Sequence, residues 1–561
     1  MSVINIQQAF ISEFIFSIMG KIKTFSGNIV DVLNSEVYPG TLKISHGRIL
    51  DISQEKKNYK NYIIPGFIDS HIHIESSILP PSEFARAAVI HGTVGAVCDP
   101  HEIANVLGIE GVKYMIEDSK TVPMKLYFSA PSCVPATDFD SSGAVLGTVE
   151  VEELMKLDEI KCLGEVMNFP SILVGNSELI KKISLSKRYS KPVDGHAPGL
   201  RGQKLEKYIN SGISTDHECL NRDEAEEKLG LGMILNIREG SAVSNFEELI
   251  PLLEKHYKRF MFCSDDKHPD DLIKGHINSM VKRAVNYDID AIKVLRVACV
   301  NPVLHYSLDA GLLQRGDAAD FLVVDNLKDF NVIKTVINGE IVAEEGRTFI
   351  NRKTPEVMNN FKAEKKKTED FRVKYSRGGM VIIEALDGEI VTGKLILPPY
   401  IADGYAVSDI KRDILKIAVV NRYGKGVVRT GFVKNFGLTE GAIASSVAHD
   451  SHNIIAVGVS NRDICRAINL IIENNGGICA VSDEEAVLPL PIAGLMSDRS
   501  YSEVAEKYTE VDSMAKSLGS KLKSPFMTLS FMALLVIPRI KLGDKGLFDV
   551  EKSEFIELFR R

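Results

Sequence analysis

At 561 residues the chain exceeds one ordinary domain, and two or three are expected. With 45% hydrophobic and 25% charged residues it reads as globular, and a net charge of −8 offers no attraction to nucleic acid or an anionic membrane. Eight cysteines without any C-x-x-C spacing suit reduced, buried thiols of a cytoplasmic protein, not a disulfide frame or a thiolate zinc site.

Residues 1–20 read as an N-terminal extension. Its apolar stretch, 9–19, is short, carries Glu13 and follows no basic residue, so it is neither a secretory signal nor a spanning helix. Short alternating runs separated by turn residues over 21–62 predict small antiparallel β structure. A matching set returns at 311–350, where Asn338-Gly339 between two β runs predicts a hairpin. The two pieces are expected to join as one discontinuous β-sandwich domain.

Between them, residues 63–310 alternate strand and helix. Candidate strands end near Asp69, Cys98, Ser129, Glu165, Gly195, Asp216, Ile237 and Ser264, and helix patterns cover 81–91, 103–119, 176–189, 203–211, 222–229 and 246–257. Eight βα units in this length predict a (β/α)8 barrel. A doubly wound open sheet ranks second, because its phosphate-binding glycine fingerprint is not evident. A charge run within 351–372 reads as a solvated linker or an exposed helix. Residues 373–561 form a further α+β region, with a helix that follows Ser460, reaches Glu473 and stops at Asn475-Gly476-Gly477. The fold class is thus α/β: a (β/α)8 barrel, the β-sandwich domain and a C-terminal α+β domain.

The C-terminal strand ends of such a barrel face one mouth. The first delivers His71 and His73, which at i, i+2 in extended chain point to the same side. The second runs into Asp99-Pro100-His101-Glu102; the fourth, fifth, sixth and eighth deliver Glu165, His196, His217 and Asp265. Five of the thirteen histidines fall at these few positions. Four imidazoles (His71, His73, His196, His217) and two carboxylates (Glu165, Asp265) suit divalent Zn, Mn, Fe or Co. Six ligands exceed what one hydrolytic metal needs, and Glu165 is placed to bridge two ions. Asp99 is expected behind the ligands, and Glu75 and Glu83 as helix caps. The remaining barrel histidines, among them His268 and His276, read as structural or surface residues.

Taken together these residues resemble the amidohydrolase superfamily and, within it, the bacterial and archaeal adenine deaminases. The strings that carry the resemblance are Pro65-Gly66-Phe67-Ile68-Asp69 with His71-Ile72-His73, Asp99-Pro100-His101-Glu102, Gly164-Glu165-Val166-Met167-Asn168, Asp194-Gly195-His196-Ala197-Pro198-Gly199, Asp216-His217-Glu218 and Cys263-Ser264-Asp265-Asp266. In the C-terminal region Val447-Ala448-His449-Asp450-Ser451-His452-Asn453 and Ser524-Pro525-Phe526-Met527 continue it. Many amidohydrolases carry a carboxylated lysine on the fourth strand; this chain has Glu165 there, as adenine deaminases do.

The resemblance implies hydrolytic deamination of adenine to hypoxanthine and ammonia, with two divalent ions per chain, Mn(II) or Fe(II) before Zn(II), activating the attacking water. It implies a homo-oligomer, a dimer first. Asp265 would take the water's proton, Glu102 would protonate or hydrogen-bond a ring nitrogen, and His101 would assist. Arg238, Glu239 and Ser241 after the seventh strand are candidates for purine contacts. His449, Asp450 and His452 are either a polar turn or a loop that reaches the mouth to close over the purine or hold an additional metal. Two alternatives stand beside this reading: a cyclic amide hydrolase, which would need the modified lysine, and a non-catalytic scaffold, which would lack the ligands.

Overall fold

The computed structural model describes residues 22–424 and 426–560; the extension expected over 1–20 lies outside them. Strands β1 (Lys23–Asp31), β2 (Glu36–Ser45), β3 (Arg48–Gln54) and β4 (Tyr62–Pro65) precede eight barrel strands. These are β5 (Phe67–Ile72), β6 (Thr93–Cys98), β7 (Lys125–Ala130), β8 (Ile160–Val166), β9 (Val193–Gly195), β10 (Thr215–Asp216), β11 (Ile234–Arg238) and β12 (Phe260–Cys263). After the barrel come β13 (Phe321–Val324), β14 (Val332–Ile337), β15 (Glu340–Glu344) and β16 (Arg347–Thr348).

Strands β5 to β9 pair in parallel, as do β10 to β12. Two seams close the ring. Ser214 N–H donates to the Val193 carbonyl at 2.9 Å, joining the fifth and sixth positions. Asp265 N–H donates to the His71 carbonyl at 3.0 Å and His73 N–H to the Asp265 carbonyl at 3.2 Å, joining the eighth to the first. The second seam sets His71, His73 and Asp265 side by side through backbone alone. Asp265 sits at φ 52°, in the left-handed region that aspartate tolerates better than most residues.

The helix expected over 103–119 is two helices, His101–Leu107 and Ile109–Ser119. Gly108 between them takes φ 65°, which stops the first helix and turns the chain. Its N-terminal turn therefore starts two residues earlier than the pattern suggested, so His101 and Glu102 lie on a helix that opens at the mouth.

The small β domain is one continuous sheet in the order β16-β15-β14-β13-β4-β1-β2-β3. It folds over until β3 meets the segment entering β13, where Ile49 N–H donates to the Asp317 carbonyl at 2.9 Å. The sandwich thus comes from one sheet turned on itself: Ile29, Leu42 and Ile49 from one half share a core with Phe321, Val323 and Val336 from the other.

The charged stretch over 351–372 is a largely solvent-exposed linker and not a helix. It runs without regular structure to a single turn at Thr368–Phe371, where Phe371 is fully buried in the C-terminal core, and Lys362 N–H donates to the Arg422 carbonyl at 2.7 Å. In the C-terminal region strands Ile414–Val420, Val428–Lys434, Ala442–Ser445, Ile454–Gly458 and Gly477–Val481 belong to one sheet, covered by the helix Asn461–Glu473. Ser460 caps that helix by accepting from Asp463 N–H at 3.1 Å. A second helix, Tyr501–Ser517, docks on the barrel: Tyr501 N–H donates to Glu83 at 2.9 Å, and the Tyr508 hydroxyl bonds His268. Through such contacts the C-terminal region is laid over the barrel mouth.

Candidate active site

Side chains from seven of the eight barrel strand ends converge on one cavity, closed on its far side by residues of the C-terminal region. Glu165 is the hub. Its Oε2 lies 3.0 Å from His217 Nε2, 3.0 Å from His196 Nδ1 and 3.8 Å from His71 Nε2, while Oε1 lies 3.7 Å from His73 Nε2. Asp265 Oδ1 lies 3.1 Å from His73 Nε2 and 3.6 Å from His71 Nε2. The donors form overlapping groups, among them His71 with Glu165 and His217, His71 with His73 and Asp265, and His196 with His217 and Glu218.

A layer of polar groups behind them fixes their orientation. Asp99 accepts Glu165 N–H at 2.9 Å, and its carbonyl accepts from His73 Nδ1 at 2.9 Å, which leaves Nε2 of His73 as the free lone pair. Gly164 is required beside it, because a Cβ there would collide with the Asp99 carboxylate. Asp69 accepts from Ser264 N–H at 3.1 Å and faces His276 Nε2 at 2.8 Å, which ties the first strand end to the eighth. His276 is thus structural, as expected. Glu75 and Glu83 do not cap their own helix: Glu75 accepts Ile103 N–H at 3.1 Å, and Glu83 pairs with Arg86 at 2.8 Å and accepts from Tyr501.

Burial lowers every imidazole here, but the carboxylates hold His73, His196 and His217 above the ordinary value, His217 at about 9, so cations binding there would displace protons. Burial, reinforced by His217 and His73, pushes His71 down to about 3, so its imidazole is a neutral donor. Burial opposes ionisation of Glu165, but His196 and His217 outweigh it and hold the carboxyl well below the usual range. Burial works against Asp265 in the same way, and Arg238, whose Nε stands 2.6 Å from Oδ2, overrides it. The Nε2 atoms of His71, His196 and His217 are buried without a hydrogen-bond partner. The orphaned Nε2 atoms of His71 and His217 face the Glu165 carboxylate, His196 meets it through Nδ1, and thiolate is absent from the set, so the residues match the metals their chemistry calls for.

Four of the remaining candidates lie in the cavity wall: His101, Glu102, His449 and Asp450. Arg238 joins them, paired with Glu218 and 3.3 Å from Asp266. Three do not line it. Glu239 follows Arg238 and so points the other way, pairing with Arg283 at 2.7 Å. Ser241 accepts His268 N–H at 2.9 Å, and its carbonyl accepts from the Ser524 hydroxyl at 3.2 Å, which makes it a domain fastener. His452 stands behind Glu102. Its Nδ1 accepts Ala448 N–H at 3.3 Å, so Nε2 carries the proton it donates to Glu102 Oε2.

Several lining residues escaped the sequence reading. Glu218 lies 3.7 Å from His196 Nδ1 and 3.6 Å from His217 Nε2; its place beside His217 was the available signal. Ile390, Phe531, Leu534 and Val536 form an apolar roof from the C-terminal region. No spacing pattern connects them to the barrel.

A barrel with imidazole and carboxylate donors at its strand ends defines a metal-dependent hydrolase. The amidohydrolase family model matches residues 62–342, and the adenine deaminase C-terminal domain matches residues 389–554. A Sulfurovum protein named adenine deaminase is 53% identical, the alignment covering 95% of this chain and 99% of that protein. Adenine deaminases of Salinibacter ruber (51%) and Methanosarcina mazei (48%) are each aligned over 96% of this chain and 99% of theirs. The chain belongs to the adenine deaminase family. The cyclic amide hydrolase and scaffold alternatives give way to that membership.

Proposed function

We infer that the protein hydrolyses adenine to hypoxanthine and ammonia, with a pair of divalent ions held by His71, His73, Glu165, His196, His217 and Asp265. The observation that carries this is the clustering of these six side chains, five of them lining a cavity roofed by residues of the adenine deaminase C-terminal domain. Bound there, the ions would acidify water toward hydroxide and neutralise charge developing on the purine. The nitrogen and oxygen set lacking thiolate suits Zn, Mn, Fe or Co, and the family resemblance favours Mn(II) or Fe(II) before Zn(II).

The protein's own groups divide the remaining work. Asp265, kept ionised by Arg238, is positioned to receive the water's proton and pass it toward the leaving amine. Glu102 is also ionised here: burial opposes this, but His449 and His452 dominate. It therefore acts first as a hydrogen-bond acceptor that aligns the ring. His449 is the better proton donor to a ring nitrogen; burial lowers it, but Glu102 raises it to about 9. His101 is raised likewise, burial being outweighed chiefly by Glu102 and Asp99. Phe531, Leu534 and Ile390 give the purine faces an apolar contact and exclude water.

The eight cysteines are buried and unpaired, which suits a reducing cytoplasm, and no helix among the described residues is long and apolar enough to cross a membrane. We place the protein there as a homodimer; sedimentation velocity returning one chain per particle would remove the dimer. The central test is ammonia release and loss of adenine absorbance with Mn(II)-loaded enzyme. Turnover of another aminopurine but not of adenine would overturn the substrate assignment.

A further inference from the structure

A second set of donors lies at the purine end of the cavity. Glu102 Oε1 is 2.8 Å from His449 Nδ1 and 3.4 Å from His101 Nε2. Asp450 Oδ1 is 3.9 Å from His101 Nε2 and 4.0 Å from His449 Nδ1. These four atoms close a ring around one point. A cation with ligands at about 2.0–2.2 Å in tetrahedral array needs donors roughly 3.3–3.6 Å apart, so the site closes once the Glu102–His449 pair opens and the Asp450 contacts shorten, each by roughly half an ångström.

Glu102 Oε1 is available, and the ion would displace the proton that Glu102 stabilises on His449. His452 saturates Glu102 through Oε2 from behind, leaving Oε1 turned inward and without a hydrogen bond. His101 turns Nδ1 toward Asp99 at 3.5 Å and Glu165 at 3.8 Å, which leaves Nε2 for the second ring. Asp450 Oδ2 is also unpartnered, and all four residues are at least 95% buried. Two carboxylates balance a divalent charge that burial would otherwise forbid.

We propose that His101, Glu102, His449 and Asp450 form a separate site for a third first-row divalent cation, shared between barrel and C-terminal domain. The ion occupies groups that the purine needs, so excess metal competes with substrate. This consequence rests on the proposed deamination; the site itself does not.

Mn(II) alone is the probe. Chelator-stripped full-length protein dialysed to equilibrium against excess MnCl2 is expected to hold three ions per chain. His449→Ala and Asp450→Asn, each checked for native circular dichroism, are expected to hold two. The double variant His71→Ala/His217→Ala is expected to keep the third ion while losing at least one of the others. In wild type, excess Mn(II) is expected to raise the apparent KM for adenine several-fold. Two ions per chain in wild type, or three in both Asp450→Asn and His449→Ala, overturns the third site. An undiminished count in the double variant overturns the barrel ligand assignment instead.

Discussion

The floor of the cavity comes from barrel strand ends and is crowded with imidazoles and carboxylates, whereas its roof, from Ile390, His449, Asp450 and Phe531 to Val536, is largely apolar. The floor is held by ladder hydrogen bonds and a buried layer of Asp69, Asp99 and His276. The roof is assembled from segments far apart in sequence. His449 N–H donates to Ser530 Oγ at 3.0 Å, and buried Lys541 donates from Nζ to the carbonyls of Ile390 and Phe531, both at 2.8 Å. The contrast separates two tasks: the floor determines whether metal is bound and water activated, and the roof determines what lies over it.

The sharpest break falls on the floor. His71→Ala and Asp265→Asn are each expected to abolish deamination, a loss of ~10⁴-fold or more in kcat/KM. Metal analysis is expected to show fewer than two barrel ions in His71→Ala. Full activity in either variant removes that residue from the site. At the boundary between floor and roof, Glu102→Gln is expected to lower kcat by ~10²–10⁴-fold, the range of acid–base contributions, with the barrel ions retained. Parallel loss of metal and rate would move Glu102 into the ligand set.

Behind the floor, Asp99→Asn is expected to weaken metal binding about 10–100-fold, because Glu165 and His73 lose their common anchor. Competition against a fluorescent chelator measures this; unchanged affinity would detach Asp99 from ligand positioning.

The roof predicts the smallest effect, in stability. Burial pushes Lys541 down to about 7 from an ordinary 10.5. Between those values the unfolded chain binds more protons than the folded one, so this group's contribution is fully present above the unfolded pKa and is lost as pH falls toward 7. From pH 7 to 8 the gain is about 1 kcal/mol. Denaturant midpoints are expected to rise over that interval, and Lys541→Met is expected to flatten the rise. A slope that survives the substitution would assign it to another group.

How much was legible follows the same division. His71 and His73 declared themselves because extended chain turns alternate residues the same way. Glu165 and Asp265 each follow a short apolar run, and His196 and His217 follow the brief Val193-Asp194-Gly195 and Ile213-Ser214-Thr215-Asp216 segments, so their place at a strand end could be read locally. Glu239 and Ser241 were misjudged for a related reason: they lie beside Arg238, but only alternation along the strand and the packing of Ser524 decide which of the three faces the cavity. His452 shares a motif with His449 and Asp450, yet a single backbone hydrogen bond turns it behind Glu102.

The sequence alone determined the barrel and the placement of its imidazoles and carboxylates at strand ends, because strand periodicity and strand-end chemistry are local properties carried by neighbouring residues, and motif resemblance supplied the family. Tertiary structure alone decided that the small β domain is one sheet folded on itself, and that the 351–372 stretch is anchored by Phe371. It also brought His449 and Asp450 to Glu102 and His101 across some 350 residues. Those contacts depend on how apolar surfaces of separate domains find burial together, and no local pattern encodes that.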